Sequence, residues 1–352
     1  NAAAVDAVAV DSAPAAARKA ARRGLNVLKS RGASVPEKHT VARPLAPSQA
    51  ATVEAWFAPF DPSAQGSSIT ILRHVVGRDV EVVDVAYNDA GIHRVQGATI
   101  TGSRRREWET ERRRARGYDP VQVSLEWARW RIAQVRQQNA LSGLLLPLEF
   151  ERFSGLLGPA PAADPGHPAD KLGLEASADP IRVARSETLH NEPEFRLFLL
   201  GNDILQEMLA RVGQRIASLG RQPEDQEVSA LINNEKGAAT DRFFQENIRR
   251  QVANQLFDAL PSIFHRAGRE RALDLLATRE AILSAGLITQ PPSEIPFLVA
   301  FFDKTLAVHI QQNNGQLSIP LPRTNPSAGP VLSQDQLAAI EASRGAPAPS
   351  EE

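Results

Sequence analysis

The chain has 352 residues, 42% hydrophobic and 23% charged, with a formal net charge of −1. That balance suits a globular protein of about two domains, and it gives the chain as a whole no electrostatic pull toward an acidic partner or a membrane. There is no cysteine, which excludes disulfides, thiolate nucleophiles and Cys-ligated zinc or iron–sulfur sites. No run approaches the about 20 apolar residues of a membrane span. The only methionine is Met208, so Asn1 is not an initiator position and a targeting segment upstream of it would be out of sight. The reading is of a soluble, cytoplasmic chain with no membrane span. Arginine far outnumbers lysine and alanine is abundant, as in proteins of GC-rich bacterial genomes.

Residues 1–51 read as a basic helix, Pro14 to Ser30, followed by a proline-punctuated linker. From 52 to about 101 the hydrophobic period becomes two. The expected strands are 52–58, 67–76, 79–87 and 92–101, separated by DPSAQG, VGR and NDAG, which are turn chemistry. Connections this short argue for an antiparallel meander, because parallel strands need long crossovers.

Helices then follow within the segment 52–158. Ser103 is positioned to cap an Arg/Glu-rich helix over 104–117. Asp119-Pro120 reads as the start of a helix running to about 141, with Val121, Leu125, Ala128, Ile132 and Val135 on one face. Trp127 and Trp130 widen that stripe, which belongs against the sheet. A shorter helix is expected from Pro147 to Gly158. Residues 159–180 are proline-rich and read as a linker.

Beyond it, 181–320 has a period of 3.6 almost throughout. Helices are expected over 192–219, over 240–260 with Pro261 kinking or ending it, over about 269–285, and from near Pro292. Asn314-Gly315 is a hairpin dipeptide, so 307–320 reads equally as a hairpin or as a helix end. Residues 321–352 read as a largely disordered tail, with room for a short helix at 333–343. The fold class is therefore α+β: an N-terminal antiparallel β-meander packed by helices, then a mostly α-helical, bundle-like domain.

Two basic segments stand out. In 103–116, seven arginines (104, 105, 106, 112, 113, 114 and 116) meet three glutamates, a local excess of +4. In 18–43, eight positive residues meet Glu37 alone, an excess of +7. Arg18, Lys19, Arg22, Arg23, Arg104, Arg105, Arg106, Arg112, Arg113 and Arg114 are the candidate contacts to nucleic acid or an acidic protein surface, with Trp108 or Tyr118 available to stack. The competing reading is a solvated helix laced with Glu–Arg pairs such as Glu109–Arg113.

Chemistry leaves fewer marks. None of the seven histidines pairs with another at i+3 or i+4, and HExxH, GxSxG, SxxK, GxxxxGK[ST] and GxGxxG are absent. No cofactor or metal is expected. His74 and His93 lie on the strands and could converge with Asp84 or Asp89 into an acid–base group. Phe195, Phe198, Phe243, Phe244, Phe297, Phe301 and Phe302 could exceed what a small bundle buries and leave a docking groove. The leading expectation is a non-enzymatic binding or scaffold protein that docks a protein partner, or a second copy, through its helical half. The alternatives are an RNA- or other nucleic-acid-binding adaptor and a hydrolase with a carboxylate/His site at the sheet–helix junction.

Overall fold

The computed structural model describes residues 15–30, 52–61, 64–74, 79–101, 103–286, 290–322 and 331–332. Residues 1–51 and 52–352 form two separate compact units. In the first, helix α1 (Ala15–Ser30) buries Ala21 and exposes Lys19 and Arg23. Arg18 and Arg22 sit in the same helix, with side chains outside the described residues.

The second unit opens with an antiparallel sheet: β1 (Val53–Asp61), β2 (Gly66–His74), β3 (Asp79–Asn88), β4 (Gly91–Thr101) and a short β5 (Val121–Val123). The order is β4-β3-β2-β1-β5, a meander closed by a fifth strand on the free edge of β1. Strand alternation sorts the side chains to two faces. Phe57, Ile69, Ile71, Val83 and Val85 share one apolar cluster, while Leu72, Val80 and Val82 join Trp56 and Trp108 in another. A bulge at the start of β4 pairs Ala86 with Arg94 and Tyr87 with Ile92, leaving His93 as the extra residue.

Each face has its own cover. Helix α2 (Arg105–Arg116) places Trp108 against the smaller cluster and ends at Gly117, whose φ of 84° is a left-handed C-cap. Helix α3 (Leu125–Ser142) covers the larger face with Trp127, Ala128, Ile132 and Val135, and the Trp127 ring meets Phe57 edge-on at 5.0 Å. Short helices α4 (Glu149–Arg152) and α5 (Ser154–Leu157) extend that cover with Phe150, Leu156 and Leu157.

The helix expected from Pro120 starts five residues later. Ser124 caps α3 by accepting the Trp127 N–H at 3.2 Å, and Val121–Val123 pair with Ala55–Phe57 instead. An open strand edge outbid the Asp-Pro start signal, and Asp119 pairs with Arg113 rather than capping. The helix expected from Pro147 is broken at Phe153 and capped by Gly158.

The helical region contains α6 (Pro180–Ala184), α7 (Asn202–Ser218), α8 (Asp225–Phe243), α9 (Glu246–Ala267), α10 (Arg269–Ser284) and α11 (Pro296–Gln312) around one core. Residues 186–195 form 3₁₀ turns rather than the start of the expected 192–219 helix, because Pro193 and Gly201 interrupt it. The 240–260 expectation merged the end of α8 with α9, which separate at Phe244 and Gln245. Pro261 neither ends nor breaks α9. It is buried, and its neighbour Ser262 donates to the buried Glu194 at 2.6 Å, so tertiary contacts hold the turn that proline weakens. Helix α11 ends at Gln312, and Asn314 and Gly315 adopt left-handed turns. Leu317–Ser318 (β6) then pair with Val331–Leu332 (β7), so no hairpin lies within 307–320. The remaining tail, with the expected 333–343 helix, lies outside the described residues.

The seven phenylalanines are consumed by this core. Phe195, Phe198, Phe244, Phe297, Phe301 and Phe302 are all at most 6% exposed, and Phe243 is half-buried against them. The expected surplus groove on these helices does not form. Among the described residues no helix is long and apolar enough to cross a membrane.

His190 tests this packing. Its Nε2–H donates to the Phe297 carbonyl at 2.9 Å, its ring lies against Phe297 and Phe301, and burial pushes its pKa down to about 4. The folded state therefore holds the imidazole neutral, whereas the unfolded chain protonates it near 6.5. Stability contributed by this group is complete above pH 6.5 and is lost as pH falls toward 4, with a slope of up to about 1.4 kcal/mol per pH unit. Urea unfolding of wild type against His190→Asn from pH 7.5 to 4 should show that component only in the wild type.

Candidate binding surface on the sheet

Helix α2 is built almost wholly from arginine and glutamate, yet it is not a free solvated helix. Residues 105, 109, 112 and 116 fall on one face at helical spacing, and that face meets the sheet. Arg116 and Asp61 form an ion pair at 2.6 Å with side chains only 2% and 1% exposed. Ser68 donates to the same carboxylate at 3.3 Å. One turn back, Arg112 pairs with Asp84, whose Oδ1 also accepts the Thr70 hydroxyl at 2.7 Å. At the start of the helix Arg105 bonds Glu109 at 2.7 Å and lies 3.6 Å from Glu54, which also contacts His74 at 3.0 Å. Tyr118, just past Gly117, both accepts the Phe60 N–H and donates to the Phe60 carbonyl, and burial raises its hydroxyl pKa.

The candidate arginines thus divide. Arg105 and Arg112 are spent on the sheet, and Arg113 is paired with Asp119. Arg104, Arg106 and Arg114 are exposed and have no ion-pair partner among the described residues. The Glu109–Arg113 pair expected from spacing does not form; Glu109 takes Arg105.

Between α2 and the far rim of β4 lies an open trough of about 820 Å³. Its floor carries Asp84, Arg94 and Gln96, one wall is Trp108 with the Arg112 guanidinium 4.9 Å from its ring centroid, and the other is Pro147, Glu149 and Arg152. Phe153 lies so close over Gly97 that a Cβ there would collide with its ring. His93 and Asp84 both line the trough, whereas His74 sits on Glu54 and Asp89 bonds Gln251. The four do not converge. His93 donates Nε2–H to the Ala64 carbonyl at 2.6 Å, and its Nδ1 is buried without a partner among the described residues. No group of three or more His, Asp or Glu residues able to hold a metal occurs among the described residues.

Beside the trough the chain exposes leucine. Leu141, Leu145 and Leu148 are 75%, 89% and 90% exposed, with Leu144 at 38%. This loop is held along the β4 rim by polar side chains. Asn139 accepts the Ile92 N–H at 2.7 Å and donates to the Ile92 carbonyl at 2.8 Å, and it donates to Leu144 O at 3.3 Å. Ser142 reaches the Ala90 carbonyl. Asn139 therefore behaves as a one-residue strand that closes the edge at Ile92. The sequence reading missed this surface, because LSGLLLPL from Leu141 to Leu148 has neither a period of two nor one of 3.6; its sign was an apolar run straddling a C-cap Gly143 and Pro147.

The buried pair makes a sharp test. Asp61→Ala should cost about 3–5 kcal/mol in urea unfolding, because it strands a buried guanidinium, whereas the double replacement Asp61→Leu/Arg116→Met should recover most of that loss. A loss below about 1 kcal/mol for the single variant would contradict the anchoring role. Compared with protein-family models, with curated proteins and with solved structures, the chain matches none.

Proposed function

We propose that the chain is a cytoplasmic, non-enzymatic binding protein that docks a protein partner at the sheet half, with its basic helices adding electrostatic contact. The observation that carries this reading is the leucine loop. Scattered exposed leucines are ordinary, but Leu141, Leu144, Leu145 and Leu148 form one apolar stretch held in place by Asn139 and Ser142. Pro147 places the same loop on the wall of the polar trough. An apolar anchor beside a trough that mixes Trp108, Val95 and Phe153 with charged side chains resembles the apolar centre and polar rim of a protein-docking surface. Acid–base catalysis has less support, because Asp84 is committed to Arg112 and Thr70, and the protonated nitrogen of His93 is committed to a carbonyl.

Replacing Leu145 and Leu148 by lysine should leave the unfolding free energy within about 0.5 kcal/mol, since both side chains stand in solvent. A photo-crosslinking residue at Leu141 of the full chain, in extract of the native source, should give a discrete protein adduct that the Leu145→Lys/Leu148→Lys variant loses. No adduct, or one indifferent to the two lysines, rejects the reading.

The free arginines favour a second reading, an RNA-binding adaptor. Arg104, just before α2, and Arg106 and Arg114 on it are exposed without ion pairs among the described residues. Replacing these three by serine should lower affinity for mixed single-stranded RNA and flatten its salt dependence by about 0.7 log units per lost contact. Equal affinity in wild type and variant would remove this surface from consideration.

A further inference from the structure

A second cavity, of about 570 Å³, opens where the turn between β1 and β2, the end of β3, helix α3 and helix α9 meet. It has a different chemistry from the trough. Four glutamines face it from three directions: Gln65 from the turn, Gln134 and Gln138 from α3, and Gln255 from α9. None of their carboxamides makes a hydrogen bond to the described residues, although Gln255 is half-buried. Each offers two N–H donors and a carbonyl acceptor.

The charged groups here are two aspartates and one arginine, an excess of one carboxylate. Arg131 is held by Asp258 at 3.3 Å and by the Tyr87 oxygen at 3.4 Å, and burial moves the Tyr87 hydroxyl up to about 12, so it stays protonated. Asp258 is further bonded by His167 at 3.1 Å, and Asp89 accepts from Gln251. A phosphate or carboxylate ligand would face two aspartates with one guanidinium already committed between them. The half-buried Phe60, whose ring meets Phe198 edge-on at 5.0 Å, also lines the cavity. Gln65 itself adopts φ 53°. Left-handed backbone is uncommon for a residue other than glycine, asparagine or aspartate, and such strain recurs at ligand clamps.

Four carboxamides without hydrogen-bond partners, a carboxylate excess that repels anions and can accept from hydroxyls, and one apolar patch match a ligand that is dense in hydroxyls, carries no negative charge and is apolar on its ring faces. The volume lies in the range of small-ligand sites. We propose that this cavity binds a neutral saccharide of one or two rings. Vicinal hydroxyls would each give and take a hydrogen bond with a carboxamide, and Asp89 would accept one more. This site is independent of the leucine surface, and either can fail without the other.

Saturation-transfer NMR and calorimetry on the full chain test the proposal with glucose, galactose, mannose, N-acetylglucosamine, maltose and cellobiose. Glucose 6-phosphate, glucuronate and triglycine serve as the charged and peptide comparisons. At least one neutral sugar should bind more tightly than its charged counterpart. Gln134→Leu and Gln255→Leu should each weaken it about tenfold or more, with thermal midpoints checking that both variants fold. Gln138→Leu, at an exposed lining position, is the third arm should Gln255→Leu prove unstable. Absence of binding by all six sugars, binding of triglycine instead, or sugar affinity indifferent to the substitutions overturns it.

Discussion

The buried ion pair between Arg116 and Asp61 sets the geometry of the sheet half. Both side chains are out of water, so neither tolerates loss of the other, and helix α2 has one rotational setting that satisfies the pair. That setting also brings Arg112 to Asp84 and Arg105 to Glu54, at intervals of four and seven residues along one face. An apolar stripe would have held the helix through area alone and tolerated sliding. Charges matched to carboxylates at Glu54, Asp84 and Asp61, each on or at the end of a strand, leave little freedom to slide. The open trough follows from this, since α2 stops short of β4 and leaves the floor of that strand uncovered.

A second theme joins the sheet to the helices. Phe57, Trp127, His167 and Phe257 stack in a chain of contacts 5.0, 5.5 and 4.6 Å apart, from the sheet core into α9. His167 belongs to the proline-rich run after Gly158. Its Nδ1 accepts the Ala169 N–H while Nε2 meets Asp258, so both ring nitrogens are occupied by structure. The helical interior follows the same habit. Glu194 takes Ser262 and Arg266, Glu235 takes Arg215 and Arg242, and Asp274 takes Arg182 and Arg185. Buried carboxylates of this kind contribute little net stability and are costly to break one side at a time.

This use of charge shapes the functional reading. Arg105, Arg112 and Arg116 of the arginine-rich helix are spent on carboxylates of the sheet, and the phenylalanines that suggested a groove are inside as well. Among the described residues, those facing out include Arg104, Arg106 and Arg114, the exposed leucine loop, and a set of glutamine carboxamides that make no hydrogen bond to described residues.

The sequence by itself determined the α+β class, the four strands of the meander to within about three residues at each end, and the helix stop at Gly158. These are legible because strand alternation and helix periodicity are written within a dozen residues, and because Gly158 ends its helix by a backbone conformation that favours glycine. The tertiary structure decided whatever depends on a partner distant in the chain. Val121–Val123 became a strand because β1 had a free edge, and Pro261 stayed helical because its neighbours are packed on both sides. Helix α8 was illegible because its inward positions include Glu235 and Lys236, whose partners Arg215 and Asp303 lie on other helices. The inward turn of Arg105, Arg112 and Arg116 depended in the same way on carboxylates as many as 55 residues earlier. A hydrophobic pattern reports which side of an element shuns water; it carries no record of which charges will meet once the elements are packed.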